Sequence, residues 1–159
     1  MYNHAPEGYV CPFCQIVAGV DTGLTAPDDV VYQDAWTTAF IASHWWPNNA
    51  GHVIVIPNQH IENIYDMPAE VAARVHETAQ QVAIAFKRVY GCDGVSMRQH
   101  NEPAGNQEVW HYHLHVFPRY EHDYLYDLTF RRRQTTPDER QPYAEKLRQY
   151  FAGGGSNRA

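Results

Sequence analysis

The sequence lacks any long hydrophobic run and has little positive charge. No segment approaches the roughly 18 consecutive apolar residues that a membrane-spanning helix requires, and the opening MYNHAPEGYV lacks the basic stretch and apolar core of a secretory signal. The 18 acidic residues outnumber the 12 basic ones, which gives a net charge of −6 and disfavours a nucleic-acid backbone as a partner. We therefore expect a cytoplasmic protein that binds neither membranes nor nucleic acid.

Cysteine is also scarce, and the three cysteines do not indicate a disulfide framework. Their number is odd, and Cys11 and Cys14 form a Cys-x-x-Cys pair. Such a pair is compatible with half of a structural zinc site, with a redox motif or with two buried thiols. A tetrahedral zinc site would need two further ligands. Cys92 follows the end of a predicted helix and is interpreted as a small core residue.

The order of elements predicts an α+β domain built on an antiparallel sheet. Segments rich in β-branched and aromatic residues predict strands at 30–34, 37–43, 52–57, 94–100 and 109–119. One long helix is expected between Pro68 and Gly91, because its apolar residues recur at helical spacing. These residues are Val71, Val75, Ala79, Val82, Phe86 and Val89.

The remaining segments complete the predicted organisation of the chain. Residues 44–51 are expected to form a loop, and Thr136 followed by Pro137 predicts the start of a C-terminal helix. We divide the chain into four parts by their composition. They are an N-terminal arm (1–8), a main domain (9–136), the C-terminal helix (137–152) and a disordered tail (153–159).

The segment WHYHLHVF at 110–117 carries the main chemical signal. Side chains alternate between the two faces of a strand, so His111, His113 and His115 are expected to share one face with Phe117. Trp110, Tyr112, Leu114 and Val116 are expected to face the core. Imidazole titrates near neutrality and acts as a nucleophile, acid, base or metal ligand. The spacing alone leaves open a catalytic metal site and a nucleophilic histidine directed at phosphorus.

Four stretches, in this order, resemble the histidine triad (HIT) family. They are CPFCQIVAG, AGHVIVIPNQHIENIYD, NEPAGNQEVWHYHLHVFPR and, within the last, the triad HYHLHVF itself. The resemblance covers roughly residues 9–120 and implies a five-stranded antiparallel sheet with helices, usually assembled as a homodimer. With the long helix and the C-terminal helix predicted above, we expect an α+β domain of the HIT-like fold. The resemblance also implies a nucleotide hydrolase or transferase that cleaves adenylate conjugates or dinucleoside polyphosphates at the α-phosphorus.

The resemblance assigns roles to individual residues. His113 matches the nucleophile that forms a nucleotidyl-histidine intermediate, His115 the histidine that assists the leaving group, and His52 a histidine beside the triad. The other matching positions are expected to bind substrate: Asn101 and Gln107 the phosphate or leaving group, His44 the ribose, and Phe13, Ile16 and Phe40 the base.

Zinc-bearing members of the family imply a metal site as well. Their two remaining ligands match His60 and His111, which would complete a closed Cys₂His₂ set with Cys11 and Cys14. Such a zinc would be structural and would leave His113 and His115 for the chemistry.

Three other functions remain open at this stage. They are a phosphorylase of dinucleoside polyphosphates, a metallohydrolase that uses the His-x-His-x-His strand, and a nucleotide-binding module without catalysis. The basic run Arg131–Arg133 is interpreted as a solvated surface.

Overall fold

The computed structural model describes residues 2–154, which form a five-stranded antiparallel sheet, two long helices and shorter elements. In chain order the strands are β1 (Val30–Gln33), β2 (Thr37–Ile41), β3 (His44–Trp45), β4 (Val53–Pro57), β5 (Gly94–Gln99), β6 (Leu114–Arg119) and β7 (Arg133–Gln134). The main sheet has the order β1-β2-β4-β6-β5, and β3 pairs separately with β7. The predicted α+β fold class is therefore confirmed.

The helices are α1 (Pro12–Val17), α2 (Ala69–Ala85) and α3 (Pro137–Ala152). A π-helical turn at Phe86–Tyr90 extends α2 as far as Gly91, whose φ of 65° is left-handed and ends the helix. The predicted apolar stripe of α2 packs against one face of the sheet, where it meets the inward side chains of β4 and β6. None of the helices within residues 2–154 is long and apolar enough to cross a membrane.

The C-terminal helix α3 is stabilised by a local cap at its first turn and by an ion pair to a distant part of the chain. The Thr136 hydroxyl accepts a hydrogen bond from the backbone N–H of Glu139, and the Glu139 carboxylate accepts one from the N–H of Thr136, which is a capping box. Further along α3, the buried Arg140 guanidinium forms a two-point ion pair with Asp29 just before β1, at 2.7 and 3.0 Å. This pairing fixes α3 across the sheet edge formed by β1.

Three local expectations need correction. The strand predicted at 109–119 begins only at Leu114, because the preceding residues bond elsewhere: the Tyr112 N–H donates to the Ile61 carbonyl. Trp110 does not join the core but lies half-buried against His4, with ring centroids 5.6 Å apart. The predicted loop 44–51 contains β3. The disordered tail predicted at 153–159 lies outside the described residues from 155 onward and stays a prediction.

Candidate active site

The face of the sheet opposite α2 forms the floor of a large cavity. Phe40, Ile54, His115 and Arg98 are cross-strand partners on β2, β4, β6 and β5, so their side chains point to the same side. The cavity above them has a volume of about 880 Å³. Its floor therefore changes along the row from apolar through imidazole to guanidinium.

Seven of the nine residues predicted to act in catalysis or substrate binding line this cavity. They are Phe13, Ile16, Phe40, His44, His52, His113 and His115. The sequence places them on five separate segments, and the sheet brings them together.

His113 lies in the cavity wall, and one of its two ring nitrogens is hydrogen-bonded to the backbone. Its Nδ1 is 2.7 Å from the backbone oxygen of His111, and because a carbonyl can only accept, Nδ1 carries the proton. Nε2 then carries the lone pair, and no residue in the described range bonds to it. Burial lowers the pKa of His113 below the ordinary 6.5, so the imidazole is neutral at pH 7.

His115 and His52 form a second imidazole pair beside His113. His115 Nδ1 lies 3.2 Å from His52 Nε2, so one of these nitrogens donates to the other. Burial lowers the pKa of His52 to about 3 and that of His115 well below 6.5. The positive charges of Arg98, near both rings, and of Arg132, near His52, act in the same direction. Both rings are therefore neutral at pH 7.

Asn101 and Gln107 do not line the cavity. The buried Gln107 amide donates to the carbonyls of Glu62 and Val109 and accepts from the Glu102 N–H. Asn101 accepts from the Ile64 N–H and exchanges hydrogen bonds with Gln99. Both amides hold the loop before the triad in place, and their predicted contact with phosphate is not supported by this arrangement.

The apolar end of the cavity is built by α1 and β2. The Phe13 ring packs edge-on against Phe40 and His113, with centroids 5.4 and 5.3 Å apart. Ile16 and Ile54 complete this wall and are buried with them in one hydrophobic cluster. These side chains therefore serve the core and the cavity wall at once.

His44 and Glu108 stand at the cavity rim. His44 belongs to β3, and its Nδ1 lies 3.1 Å from the Ser43 hydroxyl. Glu108 forms a two-point ion pair with Arg132, with both N–O distances 3.0 Å, and this pair lowers the pKa of the carboxyl group. Arg132 therefore belongs to the cavity rim, which the interpretation of the basic run as a solvated surface did not anticipate.

Sequence reasoning gave no site role to four cavity residues with charged or titratable side chains. They are Arg98, His100, Glu108 and Arg132. The alternation of side chains along β5 predicts that Arg98 and Ser96 share the polar face of that strand. Only the register between β5 and β6 shows that Arg98 lies opposite His115. Arg132 comes from the segment before β7, whose position depends on its pairing with β3.

A separate cluster of cysteine and histidine side chains lies behind His113. One ligand atom from each of Cys11, Cys14, His60 and His111 lies within 4.8 Å of every other. The sulfur of Cys11 is 3.4 Å from His111 Nδ1, and that of Cys14 is 3.3 Å from His60 Nδ1 and 3.6 Å from His111 Nδ1. Two ligands of a tetrahedral zinc with ordinary bond lengths, one sulfur and one nitrogen, stand about 3.6 Å apart.

The orientation of His111 also fits a metal ligand. Its Nε2 lies 2.9 Å from the Pro57 carbonyl oxygen and must donate to it, which leaves the Nδ1 lone pair directed at the two sulfurs. The donor set and the distances therefore suit a metal ion that prefers sulfur and nitrogen ligands. Within the described residues, the triad histidines themselves do not form another such group.

The protein is thus an α+β domain in which alternating histidines of one short segment line the cavity on the open face of an antiparallel sheet. The family model for the HIT domain matches residues 24–122. Protein hit of Bacillus subtilis is 34% identical over 110 residues, which cover 69% of this chain and 71% of that protein. The chain therefore belongs to the HIT family, as its motifs predict.

Two further relatives bear on the metal and on the chemistry. A zinc-bound histidine triad family protein from Mycobacterium smegmatis has a TM-score of 0.75 and 31% identity, and the match covers 93% of this chain and 97% of that one. The adenylylsulfatase HINT3 of Arabidopsis thaliana is 27% identical over 116 residues, which cover 73% of this chain and 55% of that protein. The family thus includes a hydrolase and a zinc-bound member.

Proposed function

We propose that this protein is a nucleotide hydrolase or transferase that cleaves adenylate conjugates or dinucleoside polyphosphates at the α-phosphorus. The observation that carries the proposal is the His113 side chain, which is neutral, has its proton fixed on Nδ1 and presents Nε2 to the cavity. A neutral imidazole nitrogen with a free lone pair is a competent nucleophile. The nearby apolar wall suits a nucleobase.

The proposed reaction has two steps. His113 Nε2 attacks the α-phosphorus, which forms a P–N bond and breaks the bond from phosphorus to the leaving group. Water then attacks the same phosphorus, breaks the P–N bond and releases AMP. Both steps depend on positioning and on donors for the phosphoryl oxygens rather than on a catalytic metal.

His115 is assigned the role of hydrogen-bond donor to the leaving group, which departs with the electron pair of the broken bond. If the His52 Nε2–H donates to His115 Nδ1, the proton of His115 is on Nε2, facing the cavity. The opposite arrangement would bury an unpaired Nδ1–H on His52, since that nitrogen has no partner, and an unpaired buried donor is costly. His52 thus acts as a positioning residue for His115.

We further propose that the Cys11, Cys14, His60 and His111 cluster holds a structural zinc ion. A closed Cys₂His₂ set has no open position for water. Zinc there would tie the helix α1 to the segment that carries the triad, and it would engage the first histidine while leaving the second and third to the substrate. A homodimeric assembly and a cytoplasmic location stay predictions from the resemblance and the sequence.

Mass spectrometry of the intact protein tests the covalent step. The protein is incubated with a panel of adenylate conjugates and quenched in alkali, and we expect an AMP adduct on the wild type and none on His113→Asn. His76→Asn, on the exposed side of α2, is the matched control and should still form the adduct. Rapid turnover without any adduct, or turnover that a fast chelator abolishes in folded protein, would contradict the proposal.

Addition of orthophosphate to the same assay separates hydrolysis from phosphorolysis. A hydrolase releases AMP whatever the phosphate concentration. A phosphorylase would carry the adenylyl group to phosphate and yield ADP.

A further inference from the structure

The cavity has a cationic end that the proposed reaction does not use. Arg98 on β5 lies directly opposite His115 on β6, and this pair continues the row from Ile54 and Phe40. Neighbouring strands are about 4.8 Å apart, so Arg98 stands roughly 14 Å across the sheet from Phe40. A substrate with its base at the apolar wall and its α-phosphorus at the imidazoles would extend its leaving group toward Arg98.

Aromatic rings hold the Arg98 guanidinium in place. Its central carbon lies 4.6 Å from the centroid of the Phe117 ring and 5.0 Å from that of Trp46. Such stacking orients a guanidinium while leaving its edge N–H groups available to an anion. Because Trp46 is itself buried, the site exists before any ligand arrives.

The charge of Arg98 is not compensated within the protein. No carboxylate among residues 2–154 forms an ion pair with it, and its buried Nε has no hydrogen-bond partner. The terminal guanidinium nitrogens also have no hydrogen-bond partner among these residues, and because Arg98 lines the cavity, they are the N–H groups that an anionic ligand can reach. The other arginine of the cavity, Arg132, is neutralised by the two-point ion pair with Glu108.

We propose that Arg98 binds an anionic leaving group, through phosphoryl or sulfuryl oxygens beyond the α-phosphorus, and so selects such substrates over those whose leaving group is an amine. This inference rests on the proposed function and narrows it. The bonds formed would be charge-assisted, which are the strong class of hydrogen bond. Arg98 would therefore determine specificity without touching the nucleophile.

Equilibrium binding tests the anion site without turnover. The ligands are AMP and α,β-methylene-ADP, which carries a second phosphoryl group that is not cleaved. We expect the wild type to bind α,β-methylene-ADP at least about tenfold more tightly than AMP, and Arg98→Met to bring this ratio close to one. Methionine keeps the apolar packing on Phe117, and Arg98→Lys should retain part of the ratio because it keeps the charge.

Arg88→Met is the matched control for the loss of one positive charge. Arg88 is exposed on the π-helical turn, does not line the cavity, and its replacement should leave the ratio unchanged. Far-ultraviolet circular dichroism and thermal unfolding verify that each variant is folded. A ratio that is the same in folded Arg98→Met as in the wild type would overturn the inference.

Turnover of three substrates tests selectivity and identifies the anion. We expect Arg98→Met to lower kcat/KM about tenfold or more for diadenosine triphosphate or adenylyl sulfate, and to change it less than about threefold for adenosine 5′-phosphoramidate. A loss confined to the phosphate or to the sulfate substrate identifies the source. An equal loss of kcat/KM on all three substrates would overturn the inference about Arg98, whether or not the AMP adduct forms on His113. If no adduct forms on the wild type, the proposed covalent step is refuted instead. The ratio of the two binding affinities would then still show whether Arg98 binds an anion.

Discussion

A single carbonyl oxygen decides which ring nitrogen of His113 carries the lone pair. The backbone oxygen of His111 fixes the proton on Nδ1, so the lone pair of Nε2 is set by the backbone rather than by the solvent. A different backbone carbonyl, that of Pro57, accepts a hydrogen bond from His111 Nε2 and so directs His111 Nδ1 toward the cysteines. His111 and His113 therefore present different ring nitrogens because each faces a different carbonyl.

The burial of His52 predicts a measurable dependence of stability on pH. The unfolded histidine titrates near 6.5, whereas the folded one has a pKa of about 3. Between these values the unfolded chain binds a proton that the native protein does not, so the free energy of unfolding falls as the pH drops below 6.5. The slope is up to about 1.4 kcal/mol per pH unit for this one residue.

Urea unfolding of the wild type and of His52→Asn at pH 7.5, 6.5 and 5.5 measures this contribution. The variant lacks the His52 titration but keeps the triad histidines, so its stability should fall less steeply below pH 6.5. The comparison concerns the slopes, because asparagine also changes packing at this buried position. Parallel slopes would show that His52 takes up its proton equally well in both states.

At the scale of elements, the sequence predicted what periodicity and capping encode. The stripe of α2, the cap of α3 at Thr136 and most strand positions follow from side-chain spacing and local hydrogen bonds. The start of β6 could not be predicted, because the chain before Leu114 alternates like a strand but finds its hydrogen-bond partner in the Ile61 carbonyl instead. A ladder needs a partner strand, and a single segment does not encode one.

The same limit applies to the candidate site. Motif matching found the imidazoles, which are carried by one short segment and by the residue before β4. It assigned the amide of Gln107 to the phosphate or leaving group, whereas in the fold that amide donates hydrogen bonds to the Glu62 and Val109 carbonyls. It also gave no role to Arg98, whose position depends on the register between two strands that are separated by a loop.

Gly51, in the turn before β4, is predicted to tolerate no larger side chain without a loss of stability. Gly51 has a φ of 76°, and a Cβ added there would lie 2.4 Å from the Tyr143 ring of α3. We expect Gly51→Ala to lower the free energy of unfolding by about 2–4 kcal/mol, because it adds the strain of a left-handed alanine to a clash with a packed helix.

Thermal or urea unfolding measures this loss, and Gly8→Ala is the matched control. Gly8 has a similar φ of 73° but no atom within 4 Å of the added Cβ. It therefore reports the backbone strain alone, and the excess loss in Gly51→Ala reports the contact between the turn and α3. Equal losses in the two variants would mean that Tyr143 moves aside freely.

At the scale of the whole molecule, the cysteine–histidine cluster joins parts of the chain that are far apart in sequence. Cys11 and Cys14 belong to the start of the chain and of α1, His60 follows β4, and His111 precedes β6. A metal bound by all four closes loops of about 50 and 100 residues. Since the unfolded chain does not present this set, a metal bound there would stabilise the native state.

Loss of one sulfur ligand should therefore lower both metal content and global stability. We expect purified wild type to contain close to one zinc per chain by elemental analysis, and Cys14→Ser to contain much less. The free energy of unfolding should fall by about 2.7 kcal/mol, the stabilisation given by a ligand at roughly 100 times its dissociation constant. Cys92→Ala is the matched control, because Cys92 is buried in the main core, away from the cluster, and its loss should leave the zinc content unchanged. Full zinc content in Cys14→Ser would show that the metal binds elsewhere. If the wild type is equally stable with and without a chelator, the metal has no structural role.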